Sequence, residues 1–172
     1  MRELWLDATT VDTYIPALHA LLAEAVTDGA SIGFMWPVNH DEIATYWRDV
    51  AQSVVHHKKY VVVMLDDNGS VLGTAQLEPS PKENGRHRAE VQKVIVALHA
   101  RNQGIGKLLM HHIELRAKEL NRSILFLDTR VDDVGERLYE SMGWLKFGVA
   151  PDYAYSPDGT LAGSAFSYKR IE

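Results

Sequence analysis

The 172-residue chain contains no cysteine, which excludes disulfides and any mechanism built on a thiol nucleophile. No apolar run approaches the roughly 20 residues of a membrane-spanning helix, so no membrane partner is expected. Charge of one sign nowhere accumulates. Eighteen Lys and Arg are interspersed with 23 Asp and Glu, for a net charge of −5, and that balance argues against a general nucleic-acid surface. The opening Met1-Arg-Glu-Leu-Trp-Leu-Asp7 carries acid and lacks the apolar stretch of a signal peptide, so a cytoplasmic location is expected. Repeats, low-complexity tracts and linkers are missing too, and one domain over residues 1–172 is predicted.

What is present reads as alternating strands and helices. Glu3 to Ala8 suggests a short edge strand. Ile15, Leu18, Leu21, Leu22, Ala25 and Val26 recur at helical spacing over Thr13 to Val26. Gly29 to Asn39 breaks that pattern, and Asp41 is placed to cap a second helix with Ile43, Tyr46, Trp47, Val50 and Val54 on its apolar side. Tyr60 to Leu65 and Val71 to Leu77 are β-rich, and Asn68-Gly69 between them signals a hairpin. A long strand follows from Arg88 to Ala97. A helix from about Gly104 has Ile105, Leu108, Leu109, Ile113 and Leu120 on one side. Ser123 to Thr129 reads as a buried strand, Asp132 to Met142 as a helix and Leu145 to Val149 as a strand. A loop rich in Pro and Tyr precedes a last strand from Ser164 to Ile171. The fourth and fifth strands enclose one helix and should be parallel; hairpins make the rest antiparallel.

The most informative stretch runs from Val94 to Leu109. A strand enters a short turn, Arg101-Asn-Gln-Gly-Ile-Gly106, which opens a helix. The first amides of a helix have no partners within it and sit at its positive end, which makes a site for a phosphate. A P-loop does not fit, because Lys107 is followed by Leu108 and position 101 is not Gly. Neither does a dinucleotide fingerprint, since Leu109 stands where its third Gly belongs.

The pattern that fits is Arg/Gln-x-x-Gly-x-Gly/Ala, and Leu138-Tyr-Glu-Ser-Met-Gly-Trp144 follows downstream. Together these resemble the pyrophosphate loop and the Leu-Tyr-x-x-x-Gly-Phe signature of the GNAT N-acetyltransferases. Trp144 replaces the usual Phe, Leu98 a common Pro and Asn102 a common Gly. Gly29-Ala-Ser-Ile-Gly-Phe-Met35, Arg88-Ala-Glu-Val-Gln-Lys93, Leu127-Asp-Thr129 and Pro157-Asp-Gly159 are further similar to the tabtoxin-resistance branch of that family. The resemblance implies an α/β fold: a mostly antiparallel central sheet with helices on both faces, whose parallel fourth and fifth strands splay apart. It also implies acetyl-CoA as cosubstrate. The backbone of Val94, Ile95 and Val96 would pair with the pantetheine arm, and Arg101, Asn102, Gln103, Gly104, Ile105, Gly106 and Lys107 would hold the pyrophosphate. Homodimers are common in the family.

Acetyl transfer to an amine requires removal of a proton from an ammonium of pKa near 10, a donor for the departing thiolate, and stabilisation of an oxyanion, which a backbone N–H of the fourth strand can supply. The resemblance makes Tyr139 the acid; as a residue alone it is equally an aromatic on a helix face beside Leu138 and Met142. Glu90 and Asp128 are carboxylates on interior strands, and either can serve as base with the other orienting the amine. Each also has a structural alternative: an ion pair of Glu90 with Arg86, Arg88 or Lys93, and a turn or cap made by Asp128. The acceptor pocket is expected from Gly29 to Asn39 and Pro151 to Gly159, with Phe34, Trp36, Tyr153 and Tyr155 as walls. Adjacent His56-His57 and His111-His112 lack metal-ligand spacing, and no metal is expected. A small amino-acid-like amine, in the sharper form a β-lactam toxin, is the expected acceptor. A polyamine, an aminoglycoside, a protein N-terminus, or a non-catalytic acyl-CoA-binding role are the alternatives.

Overall fold

The computed structural model describes residues 1–171. Seven strands form one sheet in the order β1-β2-β3-β4-β5-β7-β6. Along the chain they are β1 (Arg2–Trp5), β2 (Tyr60–Leu65), β3 (Val71–Pro79), β4 (Arg88–Val96), β5 (Ile124–Arg130), β6 (Leu145–Tyr155) and β7 (Leu161–Arg170). Helices α1 (Val11–Thr27) and α2 (His40–Val55) lie between β1 and β2, α3 (Ile105–Glu119) between β4 and β5, and α4 (Val134–Ser141) between β5 and β6. Among the described residues only β4 and β5 pair in parallel; the other neighbours are antiparallel. This is the mixed α/β architecture expected from the sequence.

The two faces of the sheet are assigned by contacts. Gln76 of β3 accepts a hydrogen bond from the Tyr46 hydroxyl of α2 at 2.9 Å. On the opposite side, a Cβ added to Gly73 would meet Leu109 and Ile105 of α3. So α1 and α2 cover one face, and α3 covers the other. A Cβ on Gly106 would come within 3.1 Å of Leu138, which seats α4 beside the start of α3. The buried stripe of α3 is Ile105, Leu109, Met110, Ile113 and Ala117, while Leu108 is exposed. The expected stripe was one position off there, because Leu108 falls outside the i, i+4 row that meets the sheet.

Three local expectations change. Asn39, not Asp41, caps α2: its side chain accepts from the amides of Asp41 and Glu42, and Asp41 instead stands in the first turn, where its charge favours the helix dipole. β6 runs on to Tyr155 through the segment expected to be a loop, with a register break between Ala150 and Ala154. Pro151 is tolerated because β6 is an edge strand, where a missing N–H breaks no ladder bond on the open side. Asp128 lies inside β5 rather than at its end, and the cap of α4 is Asp133.

Candidate active site

The parallel pairing of β4 with β5 covers only Arg88–Ile124, Ala89–Leu125 and Glu90–Phe126. Past that point β4 pairs with β3 alone and β5 with β7 alone. The strands therefore part, and the β5-facing edge of Val94, Ile95 and Val96 has no strand against it. Such an edge presents backbone donors and acceptors to an extended amide chain.

The open edge leads into the turn before α3. Leu98–Ala100 forms a single 3-10 turn, Arg101 is extended, and Asn102 and Gly104 take φ of 62° and 78°. Asn tolerates this left-handed conformation better than most residues, which explains how it can stand where a Gly is common. Gly104 precedes α3 with no side chain capping the helix, and a Cβ there would meet nothing within 4 Å. The first amides of α3, from Ile105 onward, thus face open space at the positive end of the helix. Arg101 is drawn aside into an ion pair with Asp28 at 2.6 Å, and Gln103 bonds the His99 carbonyl. What this turn offers an anion is therefore mainly main-chain N–H groups, with Lys107 in the first turn of α3.

Glu90 and Asp128 share a face of the sheet. Glu90 pairs with Phe126, and Asp128 is two residues farther along β5, so both project toward the α1/α2 side. Among the described residues Glu90 makes no ion pair, and the bridges to Arg86, Arg88 or Lys93 that would give it a purely structural role are absent. Asp128 is exposed, and Ser164 Oγ donates to it across 2.7 Å.

Tyr139 is buried on α4, its ring tilted against Trp144 at 5.9 Å. Burial, reinforced by the negative charges of Asp133 and Asp128, raises the phenol pKa well above its usual value. The hydroxyl therefore stays protonated at neutral pH, as a hydrogen-bond donor or general acid must.

A cleft of about 630 Å³ opens on the same face, lined by Gly33, Phe34, Asn39, Tyr46 and Lys93 with Asp41, Glu42 and Asp49. Of the four aromatic residues expected to wall the acceptor, only Phe34 does so. Trp36, Tyr153 and Tyr155 are more than half exposed, and Tyr153 packs edge-on against Phe166. The two segments nevertheless meet: the Trp36 amide donates to the Pro157 carbonyl at 3.0 Å, and Arg130 of β5 bridges them, donating to the Gly29 carbonyl at 3.0 Å and to Ser156 Oγ at 3.4 Å. Sequence reasoning missed Lys93 and Tyr46 as parts of this cleft. Its one available signal was Gln92-Lys93, two successive polar residues interrupting the alternation of β4. Among the described residues no three potential metal ligands cluster, and no helix is long and apolar enough to cross a membrane.

Comparison with known proteins agrees with this fold. Residues 15–144 match the family model described as Acetyltransferase (GNAT) family. An N-acetyltransferase from Staphylococcus aureus Mu50 superposes with a TM-score of 0.79 at 20% identity, covering 100% of both chains. A ribosomal-protein-alanine N-acetyltransferase from Brucella melitensis gives 0.76 at 22% identity over 99% of this chain and 100% of its own. A GNAT phosphinothricin acetyltransferase from Sinorhizobium meliloti, solved with AcCoA, gives 0.76 at 19% identity over 99% and 89%.

Proposed function

The chain belongs to the GNAT acetyltransferase family, and we propose that it transfers an acetyl group from acetyl-CoA directly to the amine of a small amino-acid-like molecule. The observation that carries this reading is the parting of β4 from β5 after Glu90 and Phe126, with the open edge of β4 leading straight to the uncapped amides of α3. That arrangement suits the two ends of acetyl-CoA, an amide-bearing arm and a pyrophosphate. When bound, acetyl-CoA supplies the activated acetyl group.

The residues then divide the work. Backbone groups of Val94, Ile95 and Val96 hold the arm as a neighbouring strand would. The turn from Arg101 through Asn102, Gln103, Gly104, Ile105 and Gly106 to Lys107 holds the pyrophosphate, mainly through main-chain N–H groups. Hydrogen bonds to charged groups contribute about 1.5–3 kcal/mol each, so a few such donors account for micromolar affinity. Glu90 removes a proton from the acceptor ammonium, directly or through water, while Asp128, steadied by Ser164, orients it. Tyr139 keeps its proton until the thiolate departs, and donates it there. No covalent enzyme intermediate is involved, in keeping with a chain that has no Cys.

Two features favour a small acceptor. The cleft of about 630 Å³ lies in the size range of small-molecule sites, and Lys93, which lines it, stands on the sheet face that also bears Glu90 and Asp128. The name of the Sinorhizobium meliloti relative also points to an amino-acid-like acceptor. A β-lactam amino acid is the sharpest form, suggested by the segments that resemble the tabtoxin-resistance branch. The name of the Brucella melitensis relative favours a protein N-terminus as the alternative.

The test is acetyl-CoA-dependent thiol release, followed with a thiol-reactive dye over a panel of small amines, a β-lactam amino acid and N-terminal peptides. With no Cys the protein adds no background. Turnover with the β-lactam or a related amino acid is expected; turnover with peptides alone would replace the small acceptor with a polypeptide.

A further inference from the structure

Gln92 and Lys93 follow one another in β4, where a regular strand would send them to opposite faces. The pairing shows why they do not diverge. Gln76 faces Gln92 and Thr74 faces Ile95, so the single residue Ala75 stands opposite both Lys93 and Val94. This is a β-bulge, and Lys93 takes a φ of 50°, a region that non-glycine residues rarely adopt and that concentrates at functional sites. The bulge turns Lys93 onto the face of Gln92 and Glu90. Its Nζ lies 5.5 Å from the centre of the Tyr46 ring, and a Cβ on Gly33 would sit 3.7 Å from it.

Apart from the Tyr46 ring, the ammonium reaches the cleft without a hydrogen-bond or ion-pair partner among the described residues. Lys59, its neighbour in charge, pairs with Glu78 at 2.9 Å and Gln92 at 2.8 Å. Among the described residues Lys93 has no carboxylate within ion-pair distance. Asp41, Glu42 and Asp49 line the α2 wall of the cleft but do not reach it. A largely buried cation without a counter-ion is unfavourable: burial, and then the charge of Lys59, holds the Lys93 ammonium below the ordinary lysine pKa against the opposing pull of Asp128 and Glu90. Such a group gains most from a ligand that brings its own negative charge.

We propose that Lys93 binds a carboxylate carried by the acceptor close to its amine. The acceptor is then a zwitterionic amino acid, its amine toward Glu90 and Asp128 and its carboxylate on Lys93. The proposal rests on the acetyl-transfer reading of the same site and narrows its substrate class. A polyamine or aminoglycoside would bring further positive charge to the ammonium, and a peptide N-terminus offers a neutral amide where the site asks for an anion.

The experiment compares kcat/KM for thiol release with L-amino acids and with their carboxamides, in the wild type, Lys93→Met and Lys93→Arg. The expected wild-type preference for the free acid is about tenfold or more, the scale of one charge-assisted hydrogen bond. Lys93→Met should lose it through the acceptor KM while the KM for acetyl-CoA is unchanged, and Lys93→Arg should keep part of it. Equal use of acid and amide by the wild type, or an intact preference in Lys93→Met, overturns the proposal. If no amine releases thiol, the acetyl-transfer reading has failed, and Lys93 is then tested by reductive methylation read by mass spectrometry. Protection of Lys93 by N-acetyl-L-methionine but not by its carboxamide supports the site; equal labelling with both overturns it.

Discussion

Glu90 and Phe126 are the last residues at which β4 and β5 face each other as paired strands. Beyond them β4 continues to Val96 and β5 to Arg130, each with a partner only on its outer side. Glu90 therefore stands at the apex of the opening, partly buried and free of any ion pair among the described residues. From that apex the chain provides an open strand edge in one direction and a cleft in the other.

Replacing Glu90 by Gln should lower kcat by about 10²–10³-fold, the usual contribution of a positioned general base. The KM for acetyl-CoA should change little, because the amide keeps the shape of the side chain and the elements proposed to hold the cofactor lie beyond it. The pH–rate profile should also lose its dependence on this group. An unaltered profile in Glu90→Gln would remove Glu90 from the mechanism and leave Asp128 as the base.

Tyr139→Phe separates chemistry from packing. The ring lies against Trp144, and the hydroxyl makes no side-chain hydrogen bond among the described residues, so thermal stability should stay near that of the wild type. Turnover should fall about 10²-fold or more if the phenol donates the proton to the leaving thiolate. With a raised pKa, the hydroxyl is protonated throughout the neutral range, so no activity should be lost by its ionisation below about pH 10, its ordinary value. A kcat unchanged in the Phe variant would assign the residue to packing alone.

In the anion site the backbone should matter more than side chains. Gly104→Ala places a Cβ on a residue at φ 78°, a conformation that costs an L-residue about 1–2 kcal/mol, so acetyl-CoA affinity should fall about tenfold. Arg101→Ala should cost less, because its guanidinium is already engaged by Asp28. Isothermal calorimetry distinguishes the two; a larger loss for Arg101→Ala would mean that side-chain charge dominates.

The support of α4 should be sensitive to acid. The buried Glu136 carboxylate takes the Asp132 amide at 2.7 Å and the Lys146 ammonium at 2.7 Å. These contacts, with that to Lys146 the strongest, hold its pKa below the usual carboxylate value. Stability from such a group is complete above its unfolded pKa and is lost as pH falls through the depressed folded value. Glu136→Gln should therefore lower Tm by about 2–5 °C at pH 7, and the gap to the wild type should narrow on acidification. A Tm difference that does not vary with pH would deny the ion pair its role.

Much of the architecture was legible because its signals are local. The stripe Leu18, Leu21, Leu22, Ala25 and Val26 is buried in α1 as its spacing requires. The turn around Asn68-Gly69 joins β2 and β3, and Arg101 to Gly106 opens α3. Where equally local rules competed, the sequence misled. Asn39 and Asp41 are both good caps, and only the path of the chain after Pro37 decides which side chain reaches the free amides. Leu145 to Tyr155 holds a Pro and an Asp that read as a loop, yet pairing with β7 carries the strand through them.

The order of strands and helices and the glycine-containing turn that opens α3 follow from periodicity and turn chemistry, which act over a few residues; Tyr139 is a candidate through its motif, and Glu90 and Asp128 through carboxylates standing in apolar strands. The place where β4 leaves β5, the bulge that swings Lys93 into the cleft, and the pairing of Arg101 with Asp28 follow from none of these. Each joins segments distant along the chain, and each depends on which long-range contacts prevail once the sheet and its helices have packed together.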